Sequence, residues 1–261
     1  MLKALVTRLR HGHRTVRYPG AEATLPDRFR GRPLVDAARC RSGCTACAAA
    51  CPTDAILPGP GGVRVDLGRC LFCPECADAC PEGAIRFARD HRLATRTRDA
   101  LRTDGETLEL AGALDAAMRR VLGRSLRLRQ VSAGGCNGCE VEVNVLGTVV
   151  FDLGRFGIQL VASPRHADGL LVTGPVTQNM AEALRKTWAA VPPPKIVIAV
   201  GACAISGGPY VDHPEVRNGA ESLVPVDLYI PGCPPHPLTI LDGLLRLLGR
   251  LEVSSSRARG R

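Results

Sequence analysis

A chain of 261 residues, 45% hydrophobic and 23% charged, has the composition of one or two folded domains and not of a disordered segment. No run of about eighteen apolar residues occurs, which excludes a transmembrane helix. The first twenty residues carry Lys3, Arg8, Arg10, Arg14 and Arg17 where a signal peptide needs an apolar core, so a cytoplasmic chain is expected. The net charge of +9 gathers at the ends, with nine Lys or Arg against three acids in residues 1–40 and five against one in 246–261. Such ends suit an acidic partner or an anionic lipid surface. Nucleic acid is not an expected partner, because five Phe, three Tyr and one Trp offer little for base stacking and no recognition motif is present.

The chain opens on Leu2, Leu5, Val6 and Leu9, spaced as one face of a helix, with Lys3, Arg8, Arg10 and Arg14 largely outside that stripe. A short basic amphipathic helix of this kind lies on a membrane surface or on a membrane-protein partner, or else packs on its own domain. Residues 1–35 form this arm and its lead-in.

An internal repeat follows. Cys44, Cys47, Cys51, Pro52, Ala55 and Ile56 recur 29 positions later as Cys73, Cys76, Cys80, Pro81, Ala84 and Ile85. Cys40 and Cys70 extend the repeat at a spacing of 30, because the first copy has one extra residue between Cys40 and Cys44. The second copy reads C-x2-C-x2-C-x3-C-P, the run that holds [4Fe–4S] clusters in bacterial ferredoxins. Three thiolates at i, i+3 and i+6 wrap one cubane, and the fourth comes from the other run. Cys40, Cys44, Cys47 and Cys80 are therefore assigned to one cluster, and Cys70, Cys73, Cys76 and Cys51 to a second. A four-cysteine zinc site would leave half of these thiols unused. Residues 36–95 form this small domain, and residues 96–124 are expected to be a helical, charged connector.

Beyond residue 125 the texture changes. Residues 126–131 alternate like a half-exposed strand, and short, mostly apolar runs at 158–162, 169–173, 195–200 and 226–230 resemble buried parallel strands. Helical patterns lie at 179–190 and 237–249, and the alternation predicts an open α/β sheet over residues 125–250. Sites in such sheets form at the carboxyl ends of strands. The last four cysteines sit there: Cys136 and Cys139 in G-G-C-N-G-C-E, Cys203 in G-A-C-A-I-S-G-G-P, and Cys233 in P-G-C-P-P. Four thiolates suit a third [4Fe–4S] cluster or a zinc ion. Glu140, next to Cys139, invites a proton-path or subunit-contact role, or is a carboxylate favoured by a helix N-terminus. His236 is placed to tune a cluster at Cys233 through a hydrogen bond, or to meet a partner. Residues 251–261 are a basic tail.

These last motifs, C-N-G-C-E at 136–140, G-A-C-A-I-S-G-G at 201–208 and P-G-C-P-P at 231–235, resemble the family that joins the small subunits of [NiFe] hydrogenases to the 20-kDa-type subunit of complex I. The complex I branch has adjacent cysteines at the first motif, whereas the C-x2-C of this chain is similar to the hydrogenase branch, membrane-bound energy-converting enzymes and formate hydrogenlyase included. Residues 1–95, with Arg17-Tyr-Pro19, the segment Phe29-Arg-Gly-Arg-Pro33 and the two cysteine runs, resemble the two-cluster ferredoxin subunit of the same complexes. The resemblance implies a fusion: a flavodoxin-like open parallel α/β domain preceded by a small ferredoxin-like α+β domain. It implies three [4Fe–4S] clusters, with Cys136, Cys139, Cys203 and Cys233 holding the one proximal to the catalytic metal of a partner chain. Electron transfer is the implied function. The implied partners are a hydrogenase-type large subunit, membrane-arm subunits and an external electron donor or acceptor, on the inner face of the cell membrane. A complex-I-like subunit serving quinone is the nearest alternative, and a freestanding polyferredoxin the next.

Overall fold

The computed structural model describes residues 2–12, 14–59, 62–104 and 107–251; all of the expected basic tail except Leu251 lies outside them. Helix α1 (Leu2–His11) is the expected amphipathic arm, and none of its residues is buried. Leu2 and Leu9 are 78% and 82% exposed, so among the described residues the apolar stripe is left largely uncovered. Among the described residues no helix is long and apolar enough to cross a membrane. After α1 the chain runs along the C-terminal domain. The Val16 amide donates to the Val150 carbonyl (2.8 Å), Arg155 grips the carbonyls of Val16 and Tyr18, and the Tyr18 hydroxyl donates to Asp242 Oδ1 (2.6 Å).

The ferredoxin part is built twice over. Strand β1 (Pro33–Val35) pairs antiparallel with β4 (Ile85–Phe87), Leu34 opposite Arg86. Between them lie a one-turn helix α2 (Ala46–Ala49), the hairpin β2 (Ile56–Gly59) and β3 (Gly62–Asp66), and a second one-turn helix α3 (Glu75–Asp78). Each short helix carries the third cysteine of its run, buried against Ile56 and Ile85.

The connector departs from expectation. Strand β5 (Arg102–Thr103) pairs with β3, and the described chain from there to Asp115 has no regular secondary structure. Among the described residues its only α-helix is α4 (Ala116–Leu122), whose first turn is capped by Asp115 accepting from the Met118 amide (2.9 Å). The physical reason is the pattern of burial. Leu108 and Leu110 are buried and Glu109 between them is exposed, a period of two that suits extended backbone and not a helix.

The C-terminal domain is the predicted open sheet. Strands β6 (Leu126–Ser132), β7 (Ile158–Leu160), β8 (Gly169–Thr173), β9 (Ile196–Val200) and β10 (Leu228–Ile230) are all parallel, in the order β10-β9-β8-β6-β7. This is the flavodoxin-like order, with its switch point between β6 and β8. Helices α5 (Gly138–Val145), α6 (Gln178–Ala190), α7 (Ala202–Ser206) and α8 (Pro237–Leu247) follow β6, β8, β9 and β10. Every residue of β8 and β9 is buried, which explains why these strands read as almost wholly apolar runs, with Thr173 the one polar residue in them. Burying each such Leu, Ile or Val contributes about 1.5–3 kcal/mol. Helix α8 is buried along its whole length, and its two charged residues, Asp242 and Arg246, pair with each other (2.7 Å). Tyr18 satisfies the other oxygen of Asp242, so the arm completes the hydrogen bonding of a buried ion pair.

The two domains share a seam. Thr95 exchanges two backbone hydrogen bonds with Tyr229 (3.0 and 2.9 Å), so the segment leaving the ferredoxin part covers the β10 edge of the large sheet. Ser206 at the end of α7 donates to the Gly68 carbonyl (2.8 Å), and Arg98 holds Asp66 through two 2.7 Å bonds.

Candidate metal centres

Two cavities in the ferredoxin part are lined by four cysteines each. One is lined by Cys40, Cys44, Cys47 and Cys80, with Val63, Ala84 and Ile85 as apolar wall, and has about 340 Å³ of space, part of it open to solvent. The other is lined by Cys51, Cys70, Cys73 and Cys76, with about 310 Å³. The fourth thiol of each set comes from the opposite run, the crossed arrangement expected from spacing. Cys40, despite its extra spacer residue, lines the cavity with its set.

The donor chemistry of these cavities suits iron–sulfur clusters. Cys51 Sγ accepts from the Ala55 amide (3.2 Å), and 29 residues on Cys80 Sγ accepts from the Ala84 amide (3.3 Å). Amides aimed at sulfur stabilise the thiolate form and tune a bound cluster. Asp54 and Gly83, at matching positions, both take a left-handed backbone (φ +48° and +54°) that turns the chain so these amides point back at the sulfurs. Burial, reinforced by neighbouring thiols, pushes Cys70 up to about 12 and Cys76 up to about 11. Without a cation these thiols stay protonated at neutral pH, and an iron ligand set forms only by displacing their protons.

The last four cysteines lie beyond the carboxyl ends of β6, β9 and β10: Cys136 and Cys233 in loops, Cys139 in the first turn of α5 and Cys203 in the first turn of α7. Cys139 Sγ lies against Gly201, where a Cβ would fall 2.4 Å away, and Cys203 Sγ would be 2.8 Å from a Cβ at Gly208. Both glycines have positive φ as well, so no other residue fits beside these sulfurs. Burial raises the Cys139 pKa, and nearby Cys203, Glu140, Cys233 and Cys136 raise it further. Burial first, then Cys233 and Cys136, pushes Cys203 up to about 12. Cys203 is buried, Cys139 half-buried, and Cys136 and Cys233 exposed, so the group faces out on one side. Val141 and Val149 are also exposed on the segment that follows Cys139.

Glu140 is only 6% exposed, and its Oε1 accepts from Ser132 Oγ (2.6 Å) and from Thr173 Oγ1 (2.7 Å). It thus ties the first turn of α5 to the ends of β6 and β8. The sequence reading missed these two hydroxyls; their signal was a hydroxyl residue closing each of two neighbouring parallel strands. His236 caps α8, its Nδ1 accepting from the Leu238 amide (3.2 Å), and its ring stands edge-on to Phe29 and Phe151. Burial lowers its pKa.

The three groups of cysteines come near one another, Cys47 and Cys76 packing in one small core. The charge of Cys47 reaches Cys76 across the ferredoxin part, after burial, Cys73 and Cys51 in size. The charge of Cys73 reaches Cys233 in the other domain, after burial and Cys136.

Comparison with known proteins bears on both parts. Residues 136–247 match the family described as NADH ubiquinone oxidoreductase, 20 Kd subunit, and residues 39–84 match the 4Fe-4S dicluster domain. The chain is 46% identical over 144 residues to formate hydrogenlyase subunit 7 of Escherichia coli (strain K12), covering 55% of this chain and 56% of that protein. It therefore spans little more than half the length of that relative. It is 43% identical over 136 residues to the probable membrane-bound hydrogenase subunit mbhJ of Pyrococcus furiosus, covering 52% of this chain and 81% of that protein. It is 41% identical over 152 residues to an NADH-quinone oxidoreductase subunit of Phocaeicola vulgatus, covering 58% of this chain and 75% of that protein.

Proposed function

We propose that this chain, which belongs to the NADH ubiquinone oxidoreductase 20 kDa subunit family and carries a 4Fe-4S dicluster domain ahead of that part, relays electrons through three [4Fe–4S] clusters in a membrane-associated oxidoreductase of the hydrogenase type. The observation that carries the reading is the pair of four-cysteine cavities with crossed ligand sets. Cys40, Cys44, Cys47 and Cys80 hold the outer cluster, Cys51, Cys70, Cys73 and Cys76 the middle one, and Cys136, Cys139, Cys203 and Cys233 the cluster nearest the partner's catalytic metal. The electrostatic reach from Cys47 to Cys76 and from Cys73 to Cys233 supports this order. The clusters supply one-electron carriage. The chain supplies thiolates, amides aimed at sulfur, and an apolar wall that keeps water from the inner centres.

The exposure of Cys136 and Cys233 supports docking of a hydrogenase-type large subunit at the third group. The solvent-facing outer cavity supports exchange with an external donor or acceptor. The unpacked stripe and basic face of α1 support peripheral attachment to membrane-arm subunits or to the inner face of the membrane.

Cys233→Ala in the assembled complex tests the division of labour. Dye reduction linked to the large subunit is expected to fall sharply, with both ferredoxin-type signals retained in electron paramagnetic resonance. Full activity with an altered ferredoxin-type signal would refute the assignment.

A further inference from the structure

The two ligand runs are copies, and one difference between them singles out a residue pair that the relay described above leaves without a task. Each run turns ahead of its C-x2-C through a residue of positive φ, Gly43 at +77° in the first copy and Phe72 at +57° in the second, 29 positions apart. Glycine takes this conformation at little cost, whereas a bulky residue there is rare. At Gly43 a side chain would meet nothing within 4 Å. At Phe72 the ring is buried, in one core with Ala204 and Ile205 of α7 and Tyr229 of β10. The second copy therefore accepts an unfavourable backbone in order to place an aromatic ring at the seam between the domains.

The backbone of Phe72 is held from both sides. Its amide donates to Cys70 Sγ (3.3 Å), and its carbonyl accepts from Arg30 Nε (2.7 Å), contributed by the arm 42 residues earlier. Among the described residues Arg30 takes part in no ion pair, and although the residue is largely exposed, its guanidinium is held by this bond beside the loop that bears Cys70 and Cys73. The first cavity is different, because its arginine, Arg41, is paired with Glu82.

We infer that Arg30 and Phe72 position and tune the middle centre: Phe72 wedges its ligand loop against α7, the helix of Cys203, while Arg30 holds the loop carbonyl and sets a positive charge beside Cys70 and Cys73. The inference rests on the cluster reading of Cys51, Cys70, Cys73 and Cys76. Reduction adds an electron to that centre, and a nearby positive charge favours the reduced form. Removing the charge makes the centre harder to reduce.

The test is a redox titration of the full chain monitored by electron paramagnetic resonance, with the outer centre as internal control. In Arg30→Gln the reduced-to-oxidised ratio of the middle centre, read at the wild-type midpoint, is expected to fall about threefold or more. That is roughly 30 mV at 59 mV per tenfold for a one-electron couple. The centre of Cys40, Cys44, Cys47 and Cys80 should not move, and Arg30→Lys should recover most of the shift. Phe72→Gly relaxes the backbone and keeps the loop, so all iron should remain. The splitting that the reduced middle and Cys233 centres impose on each other's resonances should weaken. An unchanged ratio in Arg30→Gln, an equal shift of both centres, no recovery in Arg30→Lys, or unaltered splitting in Phe72→Gly would overturn the inference. A wild-type chain with no cluster at the middle cysteines would instead overturn the relay reading itself.

Discussion

Glu140→Ala is the perturbation most sharply defined by the geometry. The wild-type carboxylate accepts two short hydroxyl bonds, from Ser132 and Thr173, while itself 6% exposed. Hydrogen bonds to a charged group contribute about 1.5–3 kcal/mol each. The variant loses both, but not the full sum. Ser132 is exposed and regains water, and Thr173 Oγ1 falls back on the Val131 carbonyl, already 3.4 Å away. A net loss of about 2–4 kcal/mol follows, and at about 2–4 °C per kcal/mol for a chain of this size the melting temperature should drop by roughly 5–15 °C. Anaerobic thermal melts at one fixed scan rate measure it, since cluster proteins seldom unfold reversibly. Because Glu140 follows Cys139 directly, the resonance of the third cluster should broaden while the two ferredoxin-type signals stay sharp. Glu140→Gln keeps an oxygen that accepts both hydroxyls and should lose no more than about half as much. A melt within about 1 °C of wild type for Glu140→Ala, with an unaltered third signal, would refute the anchoring role.

Two further outcomes follow from the same structure. Cys51→Ala should degrade the centre it shares with Cys70, Cys73 and Cys76 and leave that of Cys40, Cys44, Cys47 and Cys80 intact; iron loss from the latter alone, seen by paramagnetic resonance, would mean the sets are not crossed. Leu5→Glu with Leu9→Glu places charge on the exposed stripe of α1, where no residue is buried, so melting and iron content should hold while the complex leaves the membrane pellet; continued sedimentation with membranes would make α1 a surface helix only.

Much of this architecture was legible because it depends on short-range signals. The cysteine repeat is written in spacing, and the four-cysteine cavities fall where that spacing put them, Cys51 and Cys80 crossing over included. Strands β8 and β9 were legible because burial on both faces leaves them apolar throughout except for Thr173 at the end of β8. The connector was misread because Arg- and Leu-rich composition resembles a helix, while its alternate burial arises from packing against residues far away in sequence. The role of Glu140 was hidden for a similar reason, since Thr173 lies 33 residues away and meets it only once β8 pairs with β6. Nothing in the sequence around Phe72 marks it out; its backbone conformation and the core behind it do.

The central claim is that twelve cysteines form three cluster sites of four, and metal content tests it most directly. Protein purified anaerobically with its complex partners removed should carry about twelve iron and twelve acid-labile sulfide per chain, four of each per cubane. About eight iron with one zinc would contradict a third cluster at Cys136, Cys139, Cys203 and Cys233, and about four or fewer iron would contradict the account as a whole.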